Sequence, residues 1–169
     1  MVVLGIDPGY AIVGYGAINY SGGSYSPLGY GAIITDADMP FNERLEKIFK
    51  RTDEIIKACK PSVMSIEKLY FQNNQKTAIC VAEARGVILL AAQLNGVEVC
   101  EYTPLQVKQA VTGYGQAQKA QVMEMTRRLL KLREVPKPDD TADALAIAIC
   151  HTHAQGSSLR QFMKKRGIG

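Results

Sequence analysis

Four acidic residues are the parts of this sequence best suited to chemistry: Asp7, Glu67, Asp140 and Asp143. Asp7 directly follows the apolar run Val2-Val3-Leu4-Gly5-Ile6 and enters the turn Asp7-Pro8-Gly9. Glu67 follows Val63-Met64-Ser65-Ile66 in the same manner, and Asp140 and Asp143 stand three apart, a spacing that shares one face of a helix. Each has an ordinary explanation when taken singly: a turn aspartate, a charge at a strand end, a helix cap, a favourable charge on the helix dipole. Together they describe something else. Carboxylates brought to one place repel one another and raise each other's proton affinity unless a cation neutralises them. Hard oxygen donors suit Mg2+ or Mn2+, and a pair of such ions about 3.5–4 Å apart supports phosphodiester cleavage.

Whether the four acids meet depends on the elements that carry them. The all-apolar run before Asp7 reads as a strand buried on both faces. Residues 13–20 and 25–35 follow with Ser21-Gly22-Gly23-Ser24 between them, which predicts consecutive antiparallel strands. Phe41, Leu45, Ile48, Phe49, Thr52, Ile55 and Ile56 then recur at helical spacing. A fourth strand over 63–66 ends at Glu67, a long helix covers 75–94, and a fifth strand covers 97–102. Two helices are expected over 104–112 and 117–132, and a last one from 139 or 140 to about 153. The helical crossovers before the fourth and fifth strands make those strands parallel to the first. The fold class is therefore α/β, a five-stranded mixed sheet with helices on both faces. Parallel neighbours would deliver Asp7 and Glu67 to the same sheet edge.

The second half of the 75–94 helix, Val87-Ile88-Leu89-Leu90-Ala91-Ala92, is apolar nearly all round, so it needs cover on more than one side, from the core and from a second subunit. Residues 1–156 read as one domain and 157–169 as a basic, flexible tail containing Arg160, Lys164, Lys165 and Arg166. A net charge of +4 permits an acidic partner such as nucleic acid without demanding one. Cys59, Cys80, Cys100 and Cys150 are dispersed with no CxxC pair, which excludes zinc-ligand spacing and suits free thiols in a reducing compartment. There is no basic leader and no uninterrupted apolar run of membrane-spanning length, so a cytoplasmic protein without a membrane partner is expected.

A set of short motifs, in order along the chain, resembles the RuvC family of Holliday junction resolvases. They are Leu4-Gly5-Ile6-Asp7-Pro8-Gly9 with Gly14-Tyr15-Gly16, Ile66-Glu67 with Tyr70-Phe71 and Asn74, Ala84-Arg85-Gly86-Val87, Gln106-Val107-Lys108-Gln109, Gly113-Tyr114-Gly115 with Lys119, and Asp140-Thr141-Ala142-Asp143-Ala144. The resemblance implies an RNase H-like fold, a homodimer, and paired nicking of four-way junction DNA with Mg2+, two ions per site and Mn2+ as a substitute. It also implies branch-migration proteins as partners. By position it makes Asp7, Glu67, Asp140 and Asp143 the catalytic, metal-binding quartet, and Asp140 the ligand least fixed in chemical type. It places Lys108 and Lys119 near the scissile strand and Tyr70, with Phe71 beside it, against the bases of the junction.

Neighbouring residues receive plainer expectations. Asp139 reads as the N-cap of the last helix, with metal contact through a neighbour as the lesser alternative. The glycine-bearing loop before Lys119 offers backbone N–H groups to a phosphate but lacks the Walker A spacing. His151 and His153 are expected to interact with a helix C-terminus, and Arg85 to pair with a carboxylate or lie at a subunit contact. Carboxylates alone leave open an RNase H-like nuclease acting on RNA or an RNA–DNA hybrid, and a non-catalytic junction-binding module remains the alternative outside enzymes. An actin-like ATP-binding protein shares the first loop, but its second phosphate loop and greater length are missing.

Overall fold

The computed structural model describes residues 1–69 and 75–165, with side chains except at 75–76 and 157–165. The elements run β1 (Val2–Asp7), β2 (Ile12–Ser21), β3 (Ser24–Ile34), α1 (Phe41–Cys59), β4 (Val63–Glu67), α2 (Gln75–Leu94), β5 (Glu98–Tyr102), α3 (Pro104–Thr112), α4 (Lys119–Leu129) and α5 (Asp139–Lys165). The strands form one sheet in the order β3-β2-β1-β4-β5. β1 pairs antiparallel with β2, and β2 with β3, while β1–β4 and β4–β5 are parallel. This is the expected mixed sheet.

Alternation along the strands divides the core in two. Leu4, Ile6, Met64 and Ile66 face a cluster completed by Ile48 and Ile56 of α1 and by Ala84, Ile88, Ala91 and Ala92 of α2. Val3, Ile18 and Val63 face the opposite cluster, which draws on α3, α4 and the buried run Leu145–Cys150 of α5. Helices therefore cover both faces. α5 lies flush on the sheet because glycines face it: a Cβ on Gly5 would stand 2.0 Å from the Ala144 carbonyl oxygen, and one on Gly14 would stand 1.9 Å from that of Asp140. Glycine inside a strand signals such close backbone approach.

The bounds of two helices differ from expectation by more than one residue. The helix expected over 117–132 is shorter, at Lys119–Leu129. The Gln121 side chain accepts the Gln118 N–H at 2.9 Å at its start, and Lys131 takes a left-handed φ of 54° after its end. α5 passes the expected stop near 153 and continues to Lys165, since no proline interrupts it there.

Residues Thr77–Leu94 are long and apolar enough to cross a membrane by composition. Yet Ala84, Ile88, Ala91 and Ala92 are buried against the sheet side of the protein, and the helix carries Glu83 and Arg85, as a core helix can. Its other side leaves Ile79, Leu90 and Leu94 exposed at 62%, 50% and 67%. Within the single chain, the apolar half of α2 is covered on one side only.

Candidate active site

Parity and pairing bring the first two acids together. Ile6 and Ile66 are paired across the parallel β1–β4 ladder, and the next residue on each strand is Asp7 and Glu67. Both fall on the α5 side, in step with Val3, Gly5 and Val63. The start of α5 supplies the others, with Asp139 and Asp140 in its first turn and Asp143 one turn on. Asp7, Glu67 and Asp143 line one cleft of about 250 Å3 with Lys108 of α3 and Lys119 of α4, over an apolar base that includes Val107, Val122 and Ile147. Thr103 caps α3, accepting from the Gln106 N–H at 3.2 Å while the Gln106 side chain accepts from Thr103 N–H at 2.8 Å, which fixes the helix that carries Lys108.

The electrostatics match a cluster of like charges. Burial, then the charges of Glu67, Asp143 and Asp140, push the Asp7 carboxyl up from 3.8 to about 8, with Lys119 opposing. Burial and Asp143 raise Glu67, against the pull of Lys108 and Lys119. Burial also raises Asp143, while its hydrogen bond to Lys119 works the other way. The Lys119 ammonium lies 3.0 Å from Asp143 Oδ2 and 3.7 Å from Asp139 Oδ2. Carboxylates that raise one another in this manner are a donor set suited to a divalent cation. Asp140 acts on Asp7, Asp143 and Lys119 through its charge but does not line the cleft. Among the described residues, no three His, Cys, Asp or Glu side chains are close enough to enclose an ion. The quartet is gathered around the cleft and not closed over a point.

Several neighbouring expectations change. Asp139 is not an N-cap: it is the first residue of α5, and its Oδ1 accepts from Lys137 at 2.8 Å. His151 is not at a helix end, because α5 continues past it. It is buried, with Nδ1 2.8 Å from the Tyr102 hydroxyl, and burial lowers its proton affinity. His153 Nε2 lies 2.9 Å from the Tyr25 hydroxyl. Both histidines follow Asp143 by two turns or more, about 12 Å or more along the axis. Arg85 pairs with Glu101, as a carboxylate partner was expected to do. Tyr70 and Phe71 lie outside the described residues. Sequence reasoning missed the Lys119–Asp143 ion pair and the glycine contacts of α5. The second had a readable signal, Gly5, Gly14 and Gly16 within strands, whereas a contact between two helix starts leaves no mark in local spacing.

A mixed sheet in this order, covered on both faces and carrying acids at the ends of its central parallel pair and on the crossing helix, defines the RNase H-like class with an acidic site. Residues 3–151 match the family described as crossover junction endodeoxyribonuclease RuvC. The chain belongs to the RuvC family. A relative of that name from Brevibacillus brevis is 57% identical over 155 residues, covering 92% of each chain. Another, from Clostridioides difficile, is 52% identical over 99% of this chain and 98% of its own. Among solved structures, Thermus thermophilus RuvC in complex with Holliday junction substrate superposes with a TM-score of 0.86 at 38% identity, over 90% of this chain and 93% of that one. The yeast mitochondrial Holliday junction resolvase, at 16% identity and a TM-score of 0.65 over 96% of this chain and 83% of its own, shares the fold.

Proposed function

We propose that this protein is a crossover junction endodeoxyribonuclease that resolves four-way DNA junctions by paired, symmetric nicks. The observation that carries the reading is the cleft itself: Asp7, Glu67 and Asp143 on its wall beside Lys108 and Lys119, in a chain 38% identical to a relative solved with Holliday junction substrate. Family membership favours DNA over the RNA and hybrid alternatives, and no observation at the site favours a purely binding role.

Asp7, Glu67, Asp143 and Asp140 are the residues that would hold Mg2+, two ions per site, with Mn2+ as a substitute of similar donor preference. When bound, the ions supply an activated water and charge stabilisation for phosphodiester hydrolysis. Lys108 and Lys119 present positive charge to the phosphate of the strand that enters the cleft. The apolar base of Val107, Val122 and Ile147 limits water beneath that phosphate, which strengthens each charge interaction. Tyr70 and Phe71, on the segment that leaves Glu67, are assigned to unstacked bases at the junction, where an aromatic contact contributes on the order of 1–3 kcal/mol.

Two symmetric cuts are most simply made by two copies related by a twofold axis. The exposed Ile79, Leu90 and Leu94 of α2 are the surface assigned to that homodimer. Branch-migration proteins are the further partners and the cytoplasm the compartment that this reading implies. At physiological salt, a gel shift should show much tighter binding to a synthetic four-way junction than to linear duplex of equal length. Equal affinity for the two would remove the structure-selective part of the proposal.

A further inference from the structure

The geometry points to Lys119 as a latch on the acidic cleft: its ammonium contends with a divalent cation for Asp143, and Asp139 is the anchor that receives it when the cation arrives. This inference rests on the quartet being a metal site. Lys119 is the first residue of α4, and it reaches across to the first turns of α5. Its Nζ sits 3.0 Å from Asp143 Oδ2 and 3.7 Å from Asp139 Oδ2. Asp143 lines the cleft, but Asp139 does not, so the two carboxylates an ammonium can choose between differ in kind. One belongs to the donor set and the other stands outside it.

Asp139 is prepared for this use. Its Oδ1 is taken by Lys137 at 2.8 Å, which leaves Oδ2 facing Lys119. Lys119 is half exposed, so its long side chain has room to shift between the two. Its charge also acts against the proton affinity of Asp7, Glu67 and Asp143 alike, so it is the cation that all three acids on the cleft wall feel. Asp143 is engaged by Lys119, and among the described residues no three acidic, His or Cys side chains enclose a point. A doubly charged ion on Asp143 repels the ammonium beside it. Transfer to Asp139 relieves that repulsion while keeping Lys119 at the rim, where a phosphate enters. Lys119 and Asp139 are thus positioning residues that set the affinity of the site for its cation.

The test is Mn2+ binding to the full chain without DNA, followed by the free Mn2+ signal in electron paramagnetic resonance. Lys119→Met and Lys119→Gln should each bind Mn2+ about fivefold more tightly or better, the lower range of an ordinary coupling between sites. Asp139→Asn should weaken binding when Lys119 is present and have much less effect in the Lys119→Met background, a departure from additivity that a double-mutant cycle reads directly. Unchanged or weaker binding by both Lys119 variants, with folding verified by circular dichroism, overturns the inference. Tighter binding with additive effects also overturns it, because Lys119 would then act as a diffuse charge and not through Asp139. Absence of saturable binding by every protein would remove the metal reading and this inference with it. Firm binding insensitive to Lys119 would remove only the inference.

Discussion

Replacing Asp7 by asparagine should make the protein more stable above neutral pH while abolishing cleavage. In the folded protein the Asp7 carboxyl keeps its proton until about pH 8, against a reference of 3.8. Between those values the folded state binds more protons than the unfolded one, so stability falls as pH rises from about 4 to about 8 and levels off above. At about 1.4 kcal/mol per tenfold change in proton affinity, the ceiling is roughly 5–6 kcal/mol. Part of the elevation comes from the charges of Glu67, Asp143 and Asp140, and the proton affinities of Glu67 and Asp143 are raised in their turn, so these sites titrate together and the ceiling is not reached. We therefore expect about 2 kcal/mol at pH 8, which for a chain of this size raises Tm by roughly 4–8 °C. The assay is thermal unfolding by circular dichroism in chelator at pH 5, 6, 7 and 8. The gap between the two proteins should be smallest at pH 5 and widen steadily toward pH 8. A gain independent of pH, or an asparagine variant less stable at pH 8, would refute the buried-carboxylate reasoning. The same variant should still shift a four-way junction in a gel while failing to cut it.

Three further outcomes follow from other parts of the structure. Gly14→Ala places a Cβ 1.9 Å from the Asp140 carbonyl oxygen, so α5 must lift; denaturant unfolding should show a loss of about 1–3 kcal/mol, with reduced cleavage. Lys108→Ala should slow single-turnover cleavage by about 10²-fold, the scale for losing one charge-stabilising donor, and change junction affinity far less. Leu90→Glu combined with Leu94→Glu should convert a dimer to a monomer in sedimentation, and a monomeric unsubstituted protein at high concentration would remove α2 as the contact.

The acids were legible before the fold because each sits beside a pattern with a clear period. The apolar runs ending at Asp7 and Glu67 predict strands, the intervening helix predicts parallel pairing, and the ladder from Val3–Val63 to Ile6–Ile66 puts both acids at one edge. The i, i+3 spacing of Asp140 and Asp143 was equally readable, but it says nothing of which acid points into the cleft; the structure puts Asp143 there and leaves Asp140 beside it. The role of Asp139 was misread because Lys137, two residues earlier, binds the side chain that capping would have used. His151 was misplaced because the end of α5 was set too early, and its partner Tyr102 is 49 residues away in the chain. Contacts that join distant segments carry no local period, which is why the Lys119–Asp143 pair emerged only from the packing of α4 on α5.

The most direct test of the central claim is cleavage of a labelled synthetic four-way junction by the unsubstituted protein, with Mg2+ and with chelator, with the nicks mapped on all strands. The account predicts two nicks at symmetry-related positions on opposing strands in Mg2+, and uncut junction in chelator. Cleavage that persists in chelator would contradict the metal assignment of the quartet, and an intact junction in Mg2+ would contradict the resolvase reading itself.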